Sequence, residues 1–447
     1  MASIKPATPK GMRDFGPEQS AKRAYIIDTI KTNFNRYAFQ QLETPAMENL
    51  STLTGKYGDE GDQLLFKILN SGDYLSKAPG GARDASKSLL PYIAEKGLRY
   101  DLTVPFARYV VSHRHEITYP FKRFQIQPVW RADRPQKGRY REFYQCDADI
   151  IGTKSIWNEA ELSLLIHDVF ADLKLGDFSL KINHRAILRA FANFCGLQGK
   201  EMAFCVELDK LDKVGGGKVT QQMEAMGADP TKVRQFMDFI LSDMSNAEKL
   251  ARLQRDFDID EPSINEYFKL LSHTDRELKI DFDLSLARGL TYYTGMIFEV
   301  KPTSVEMGSI CGGGRYDNLT GVFGLPDVSG VGISFGLDRM YDVMEELNLF
   351  PPELSETIQV LIVHFDEVCF THGLGLLEKL RAAGIRADIY PQVVKVKKQF
   401  NYADKIHAGH TLVIGQDEID AGVYKLKNMK SGDQESLSLE EIVEILS

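Results

Sequence analysis

Hydrophobic and polar residues follow a helical pattern at the start of the chain. From Pro17 to Tyr37, apolar residues recur at three- and four-residue spacing, which predicts an amphipathic helix that begins at the proline. A short strand should follow and end near Pro45, because proline cannot take part in a regular strand ladder. The polar stretch from about Ser71 to Gly97 predicts a loop with one short helix.

Strand patterns dominate residues 99–151. Three segments are rich in β-branched and aromatic residues: RYDLTV (99–104), RFQIQPVW (123–130) and EFYQCDADII (142–151). The polar PQKGR between the last two predicts a hairpin loop, so we expect an antiparallel sheet with this hairpin at its centre. Helical spacing returns over residues 157–173.

A long helical stretch interrupts the strand patterns. Residues from about 184 to 273 carry few strand signals and predict an inserted helical module. Strands resume at Lys279 and continue through the glycine-rich SICGGGRYDNLTGVFG (309–324) to GVGISFG (330–336), which precedes a helix. These glycines do not match a dinucleotide-binding motif. They predict places where the backbone approaches a ligand closely.

Two adjacent prolines separate the last part of the chain from the rest. They predict a linker over residues 351–357, which leaves a first domain at residues 1–350. Residues 358–447 alternate strand and helix. That alternation predicts a separate α/β domain with parallel strands.

Composition narrows the possible functions. The net charge of the 447-residue chain is −9, which argues against non-specific coating of nucleic acid. Residues 121–142 and 381–407 nevertheless carry local net charges of +5 and +4, so a polyanion could contact two separate patches. The five cysteines include no CxxC pair, which argues against a thiolate metal site and favours a reducing compartment. No apolar run is long enough to cross a bilayer, so we expect a cytoplasmic protein with no membrane role.

Arginines from distant parts of the chain form a candidate nucleotide site. Arg131 and Arg139 flank the predicted hairpin loop, and Arg339 lies on the helix after the second glycine-rich strand. A triphosphate requires several fixed cations, and the planar fork of arginine suits phosphate oxygens. Any one of these arginines could instead be an ordinary surface residue, but the set favours phosphate binding.

The two-residue period of strands groups further polar side chains. It places Asp101 and Thr103 on one face of the strand predicted at 99–104, where a carboxylate and a hydroxyl could hold an ammonium group. It also places Gln145, Asp147 and Asp149 on one face of the next strand. That face either lines a wet cleft, which we favour, or is exposed to solvent.

Six peptides together match motifs of one enzyme family. KGMRDFGPEQ and LETPAMENL resemble its N-terminus and first class motif, VWRADRPQKGRYREFYQ resembles the second motif, and GVGISFGLDRM the third. LARGLTYYTGMIFEV and SICGGGRYDNLTGVFG resemble two peptides particular to the histidine enzymes. Over almost its whole length, the chain thus resembles the histidyl-tRNA synthetases of class II. The resemblance implies an α+β catalytic domain with an antiparallel sheet and a helical insertion, then a C-terminal α/β anticodon-binding domain.

The resemblance also implies roles for individual residues. The implied catalytic residues are Arg131 and Arg288, and the implied ATP-binding residues are Arg131, Arg139, Phe143 and Arg339. The implied histidine-binding residues are Asp101, Leu102, Thr103, Gln145, Asp149, Arg288, Tyr292, Tyr293 and Tyr316. The implied tRNA-binding residues are Gln136, Lys137, Arg141, Lys395, Lys397 and Lys398. ATP, Mg²⁺, histidine and its tRNA would be the small molecules and partners, a homodimer would form near Pro45, and no protein-bound metal is assigned.

The implied activity is a two-step aminoacylation. ATP would activate histidine as an adenylate, and a ribose hydroxyl at the tRNA 3′ end would then attack it. Three alternatives are a catalytically inactive regulatory paralogue, a tRNA-sensing module of a kinase and another class II synthetase. The C-terminal domain and the phosphate-binding arginines argue against the first, and the absence of a flanking kinase signature argues against the second. The RGLTYY and CGGGRYD peptides argue against the third.

Overall fold

An eight-stranded sheet is the framework of the first of two compact units. The computed structural model describes residues 5–55, 58–287, 292–355 and 358–446. The first unit comprises Met1–Asp14 with Tyr25–Leu349, and the second comprises Phe15–Ala24 with Phe350–Ser447. Within the described ranges, no helix combines the length and apolar character that crossing a membrane requires.

The strands of the first unit form one large and one small sheet. They are β1 (Gln40–Gln41), β2 (Met47–Asn49), β3 (Lys67–Ile68), β4 (Lys96–Leu98), β5 (Phe121–Trp130), β6 (Glu142–Ile151), β7 (Phe178–His184), β8 (Ile280–Phe282), β9 (Met296–Pro302), β10 (Cys311–Tyr316) and β11 (Gly330–Gly336). The large sheet has the order β1-β5-β6-β11-β10-β9-β7-β8, and the small one β2-β4-β3. In the large sheet β1 is parallel to β5 and β7 to β8, whereas every other neighbouring pair is antiparallel. The predicted β5–β6 hairpin exists, but it lies towards one edge of the sheet because β11, β10 and β9 continue beyond β6.

The helices before residue 350 flank the sheet segments in sequence and form the insertion, and the first of them is divided between the two units because Phe15–Ala24 belongs to the second. They are α1 (Pro17–Arg36), α2 (Leu50–Leu53), α3 (Gly58–Gln63), α4 (Ser86–Ile93), α5 (Thr103–Ser112), α6 (Trp157–Asp172), α7 (Arg185–Phe194), α8 (Glu201–Leu208), α9 (Leu211–Val214), α10 (Gly216–Ala225), α11 (Pro230–Ile240), α12 (Asn246–Phe257), α13 (Pro262–Leu271) and α14 (Leu337–Glu346). The predicted amphipathic helix is α1, and its Ile26, Ile30 and Phe34 are fully buried. The predicted helical insertion is confirmed, since it consists of α7 to α13.

The strand predicted at residues 99–104 is wrong, because Thr103 begins α5. Asp101 Oδ1 accepts a hydrogen bond from the backbone N–H of Val104, at 3.1 Å, and so caps the helix. Pro105 lies in the first turn, where the missing N–H of proline costs no helical hydrogen bond. Asp101 and Thr103 therefore do not share the face of a strand.

The second unit is a five-stranded sheet with helices. Its elements are β12 (Val360–His364), α15 (Glu367–Ala382), β13 (Ala387–Ile389), α16 (Val396–Lys405), β14 (His410–Ile414), α17 (Gln416–Ala421), β15 (Tyr424–Asn428), β16 (Gln434–Leu437) and α18 (Leu439–Leu446). The prediction of parallel strands holds for β13, β12 and β14 and is wrong for β15 and β16, which are antiparallel. The turn between β15 and β16 is too short for a parallel crossover. In that turn Asn428 Oδ1 accepts hydrogen bonds from the N–H groups of Lys430 and Ser431.

Candidate active site

Polar side chains of β5 and β6 pair across one buried face of the large sheet. Gln145 of β6 stands opposite Gln127 of β5, Asp147 opposite Gln125, and Asp149 opposite Arg123. Only 2% of Asp147 and of Asp149 is exposed, so the solvent-facing alternative for this strand face is wrong. On the other side of β6, Ser334 of β11 stands opposite Asp147, and its hydroxyl accepts a hydrogen bond from Gln145 Nε2 at 2.9 Å. We call these seven residues the polar face.

Arg123 is the fixed cation of the polar face. Its Nη2 lies 2.7 Å from Asp149 Oδ2, and its side chain is fully buried. The hydroxyl of Tyr316 on β10 donates a hydrogen bond of 2.6 Å to Asp149 Oδ1. The sequence-based site omitted Arg123, Gln125 and Gln127, although their alternation in RFQIQ is the same two-residue signal that identified β6.

Acidic groups outnumber this cation. Burial raises the pKa of Asp147 to about 7, an effect that Asp149 increases and Arg123 opposes. Burial also raises the pKa of Asp149. The phenol pKa values of Tyr293 and Tyr316 are raised for the same reason, so both rings keep the O–H that donates hydrogen bonds.

Asp101 is a third carboxylate near Asp147 and Asp149, although it lies in the segment before α5. Its Oδ2 accepts a hydrogen bond of 3.2 Å from the hydroxyl of Tyr292. The ring of Tyr292 packs edge-on against Tyr293 and Tyr316, with centroid distances of 5.0 and 6.2 Å. The structure thus brings together Asp101, Asp149 and the three candidate tyrosines.

Glycines in the neighbouring strands make room for these side chains. A Cβ on Gly332 of β11 would lie 2.0 Å from Asp149 Oδ1, and one on Gly314 of β10 would lie 2.9 Å from Cδ1 of Tyr293. Neither distance is possible without displacing the neighbour. At these two positions the glycine therefore admits a side chain of the site, rather than the ligand that the sequence pattern predicted.

A buried ion pair anchors the strand that carries Tyr316. Arg315 Nε and Nη2 donate to the two carboxylate oxygens of Glu159 on α6, at 2.5 and 2.6 Å. Arg315 Nη1 also donates to Ser329 Oγ, which in turn donates to Asp317 Oδ1. Because two parallel N–H donors fix the plane of the carboxylate, this pair holds β10 against α6 in one orientation.

The candidate ATP-binding arginines Arg131, Arg139 and Arg339 lie in and around the hairpin loop. Arg131 packs against two aromatic rings, with its guanidinium carbon 4.2 Å from the centroid of Tyr100 and 5.1 Å from that of Phe143. Arg139 is half-exposed and forms an ion pair of 2.9 Å with Asp133. Arg339 of α14 donates to the carbonyl oxygens of Gly138 and Ser309, both at 2.7 Å.

The N-terminal segment also holds the hairpin against α14. Arg13 forms an ion pair with Asp338 and lies 3.3 Å above the ring of Tyr140. The second carboxylate oxygen of Asp338 accepts a hydrogen bond of 2.9 Å from the backbone N–H of Tyr144. Arg13 was missed as a residue of the site because nothing in its local pattern distinguishes it from a surface arginine.

The remaining candidate residues have varied surroundings. The Leu102 side chain is fully buried, Thr103 begins α5, and the Arg141 Nε–H donates to the Asp133 carbonyl at 3.0 Å. Gln136 is exposed, and Lys137 is an exposed partner of Glu346. Arg288 lies outside the described residues.

The candidate tRNA-binding and interface residues outside the hairpin are exposed. In the second unit Lys395, Lys397 and Lys398 are exposed at the start of α16, and in the first unit Pro45 is exposed beside β2. Among the residues that the structure describes, no group of three or more His, Cys, Asp or Glu side chains could hold a metal ion.

Comparisons with known proteins agree on one family. The model of the histidyl-tRNA synthetase family matches residues 94–340, and that of an anticodon-binding domain matches residues 359–447. A histidine–tRNA ligase of Cytophaga hutchinsonii is 52% identical over 98% of this chain and 99% of its own length. A histidine–tRNA ligase of Bacteroides fragilis is 50% identical over the whole of both chains. The crystal structure of histidyl-tRNA synthetase from Nostoc sp. PCC 7120 superposes with a TM-score of 0.83 at 29% identity and covers 99% of both chains.

Proposed function

The chain belongs to the histidyl-tRNA synthetase family, and on that premise we propose that the polar face binds histidine and that the adjoining arginines bind ATP. Its activity is that of a histidine–tRNA ligase. Histidine and ATP form histidyl-adenylate and pyrophosphate, and histidine then passes to the 3′ end of its tRNA. The observation that carries the assignment of the site is the group formed by the buried Asp101, Asp149 and Tyr316 with the partly buried Tyr292 and Tyr293, next to the arginines of the hairpin.

Histidine recognition rests on polar pairing. Asp101, Thr103 and Gln145 hold the α-ammonium group in this proposal, with Leu102 beside them. The imidazole contacts Asp149, Tyr292, Tyr293 and Tyr316. Such a site leaves its buried polar groups without partners when an apolar amino acid enters, which can give discrimination of about 10⁴–10⁵ without proofreading.

ATP recognition uses arginines of the hairpin and of α14. Arg131 contacts the α-phosphate, Arg139 and Arg339 contact the distal phosphates, and Phe143 stacks on the adenine. The contacts of Arg131 with the rings of Tyr100 and Phe143 restrict the orientation of its guanidinium, which favours a directed contact. Arg288, between the histidine carboxylate and the α-phosphate, is assigned from its motif alone.

The reaction needs positioning and charge stabilisation. The carboxylate of histidine attacks the α-phosphorus, the bond to the pyrophosphate oxygen breaks, and pyrophosphate leaves. A ribose hydroxyl of the tRNA then attacks the carbonyl carbon, and AMP leaves. Arg131 and Arg288 stabilise the negative charge at the α-phosphate in the first step. Mg²⁺ would enter the site with ATP, as part of the nucleotide substrate.

The partners follow from the two basic regions. Gln136, Lys137 and Arg141 approach the acceptor end of the tRNA in this proposal, and Lys395, Lys397 and Lys398 approach the anticodon. A homodimer interface would include Pro45, which is exposed, and Met47, of which 52% is exposed. We also propose a cytoplasmic location, as expected of a histidine–tRNA ligase.

ATP–pyrophosphate exchange with each of the twenty amino acids tests the proposed substrate. We expect exchange with histidine alone, because the other side chains cannot satisfy Asp149 and the tyrosines together. Efficient exchange with a second amino acid would contradict the assignment of the polar face as the selective histidine site.

Replacing Lys395, Lys397 and Lys398 by alanine should weaken tRNA binding and leave histidine activation unchanged. Three lost phosphate contacts should lower the slope of log affinity against log salt by about 2. The measurements are the KM for tRNA at several salt concentrations and the rate of pyrophosphate exchange. The matched control replaces three exposed lysines elsewhere in the second unit, Lys379, Lys425 and Lys430. An equal effect of both triple variants on the KM for tRNA would refute the assigned surface.

A further inference from the structure

Asp147 is a residue of the polar face to which the proposed function gives no role. Its side chain is only 2% exposed, and its Oδ1 atom has no hydrogen-bond partner among the described residues. Along β6 it stands between Gln145, assigned to the ammonium group, and Asp149, assigned to the imidazole. The sheet register places it between Gln125 and Ser334. An unpartnered carboxylate oxygen therefore lies within the floor of the histidine site.

The charged groups around Asp147 do not neutralise it. Those that interact with it are Arg99, Arg123, Asp101, Asp149, Tyr293 and Cys311. Arg123 already forms an ion pair with Asp149. Arg99 donates to the carbonyl oxygens of Thr44 and Pro128 and to the Gln127 amide oxygen, at 2.6, 2.8 and 2.9 Å. Among the described residues that interact with Asp147, the three carboxylates thus exceed the two arginines, and a buried charge without a partner is unfavourable.

We propose that Asp147 is a further histidine-binding residue, whose carboxylate accepts a hydrogen bond from the α-ammonium group of histidine. This inference rests on the proposed function of the polar face. The ammonium group is the cation that histidine carries at neutral pH, whereas the imidazole, with an unperturbed pKa near 6.5, is mostly neutral. The α-ammonium group of the substrate therefore supplies a positive charge that can pair with Asp147.

The direction of the pH effect follows from the raised pKa of Asp147. Because burial raises its pKa to about 7, this carboxyl is partly protonated at neutral pH in the free protein. An ammonium group beside it favours the ionised form, so histidine binding lowers its pKa and releases a proton. The KM for histidine should consequently rise as the pH falls below about 7.

The Asp147→Asn variant tests this role. We expect the KM for histidine in pyrophosphate exchange to rise roughly 10- to 100-fold, the loss typical of a hydrogen bond to a charged group. The KM for ATP should change by less than about threefold, because this side chain contacts no proposed ATP ligand. Between about pH 6 and pH 8.5, the wild-type KM should also depend more steeply on pH than that of the variant. Because free histidine titrates in the same way in both assays, the difference between the two pH dependences is due to Asp147.

Glu299→Gln is the matched control. Glu299 is a buried carboxylate in the same row of the sheet, which runs from Asp147 through Ser334 and Gly312 to Glu299. It lies three strands away from Asp147, on β9, so its replacement should leave the KM for histidine unchanged. An unchanged KM in Asp147→Asn, with only the unfolding temperature altered, would show a purely structural residue and overturn the proposal.

Calorimetry in buffers of different ionisation enthalpy counts the released protons. At pH 7 we expect wild type and Glu299→Gln to release a fraction of a proton when histidine binds, and Asp147→Asn to release less. As a second ligand, 3-(imidazol-4-yl)propionate lacks the ammonium group and should bind both proteins equally. Equal weakening of both ligands would overturn the assignment to the ammonium group. A wild-type protein that fails to activate histidine would instead refute the proposed function.

Discussion

Replacing Arg123 by methionine is expected to abolish histidine-dependent pyrophosphate exchange and to lower the free energy of unfolding by about 3–5 kcal/mol. Methionine keeps much of the apolar volume but leaves Asp149 without its ion-pair partner in a fully buried position. Asp101 and Asp147 would add to the uncompensated charge. The measurements are denaturant unfolding and the exchange rate with histidine.

The loss of stability in Arg123→Met should depend on pH. Burial raises the pKa of Asp147 and of Asp149 above their unfolded values, so the folded state retains protons that the unfolded chain releases. These two carboxyl groups therefore stabilise the folded state at low pH, and their contribution is lost as the pH rises towards 7. Without the opposing Arg123, both pKa values rise further and the destabilisation should be larger at pH 8 than at pH 5. Arg114→Met, at an exposed arginine, is the control and should change stability by less than about 0.5 kcal/mol. Normal stability of Arg123→Met at pH 8 would mean that the buried ion pair is not required.

A methyl group on Gly332 should disable histidine activation with a smaller effect on the fold. The Cβ of Gly332→Ala would lie 2.0 Å from Asp149 Oδ1 and 2.5 Å from its Cγ, so the carboxylate must shift and its hydrogen bonds with Arg123 and Tyr316 must weaken. Loss of charged hydrogen bonds should reduce exchange by about 100-fold or more. Overpacking should lower the free energy of unfolding by about 1–3 kcal/mol.

Gly312→Ala provides the control on the adjacent strand. Gly312 of β10 pairs with Ser334, and its added Cβ would lie 3.4 Å from the nearest heavy atom, the carbonyl oxygen of Phe298. We expect near-normal kinetics for this variant. In Gly332→Ala the KM for histidine should rise much more than the KM for ATP, since Asp149 contacts only the amino acid in the proposed site. A normal KM for histidine would show that Asp149 can move without loss of recognition.

Local patterns predicted the elements that have strong periodicity. The β5–β6 hairpin, α1 and the helical insertion follow from spacing, because burial imposes that spacing on each element separately. The local pattern did not predict the start of α5, because RYDLTV alternates like a strand while Asp101 and Pro105 act as helix-start signals. The direction of β15 also did not follow, because pairing between strands depends on the connection rather than on the pattern within each strand.

Sequence patterns could predict only part of the candidate site. The shared face of Gln145 and Asp149 came from the two-residue period of β6. Arg123 was missed because a charged residue in a strand usually faces solvent, and only the register with β6 reveals its partner. The contact of Arg339 with Gly138 joins residues 201 positions apart, so no local pattern could place it.

Asp101 uses its two carboxylate oxygens for different purposes, and this limits how the position can change in evolution. Oδ1 accepts from the first turn of α5, while Oδ2 accepts from Tyr292. Glutamate would carry the same charge, but its extra methylene would move the oxygens away from the helix amide. Asparagine would keep the length but place an amide nitrogen where one of the two donors now points. Either exchange would require a compensating change at the start of α5 or at Tyr292, so these positions should evolve together rather than one at a time.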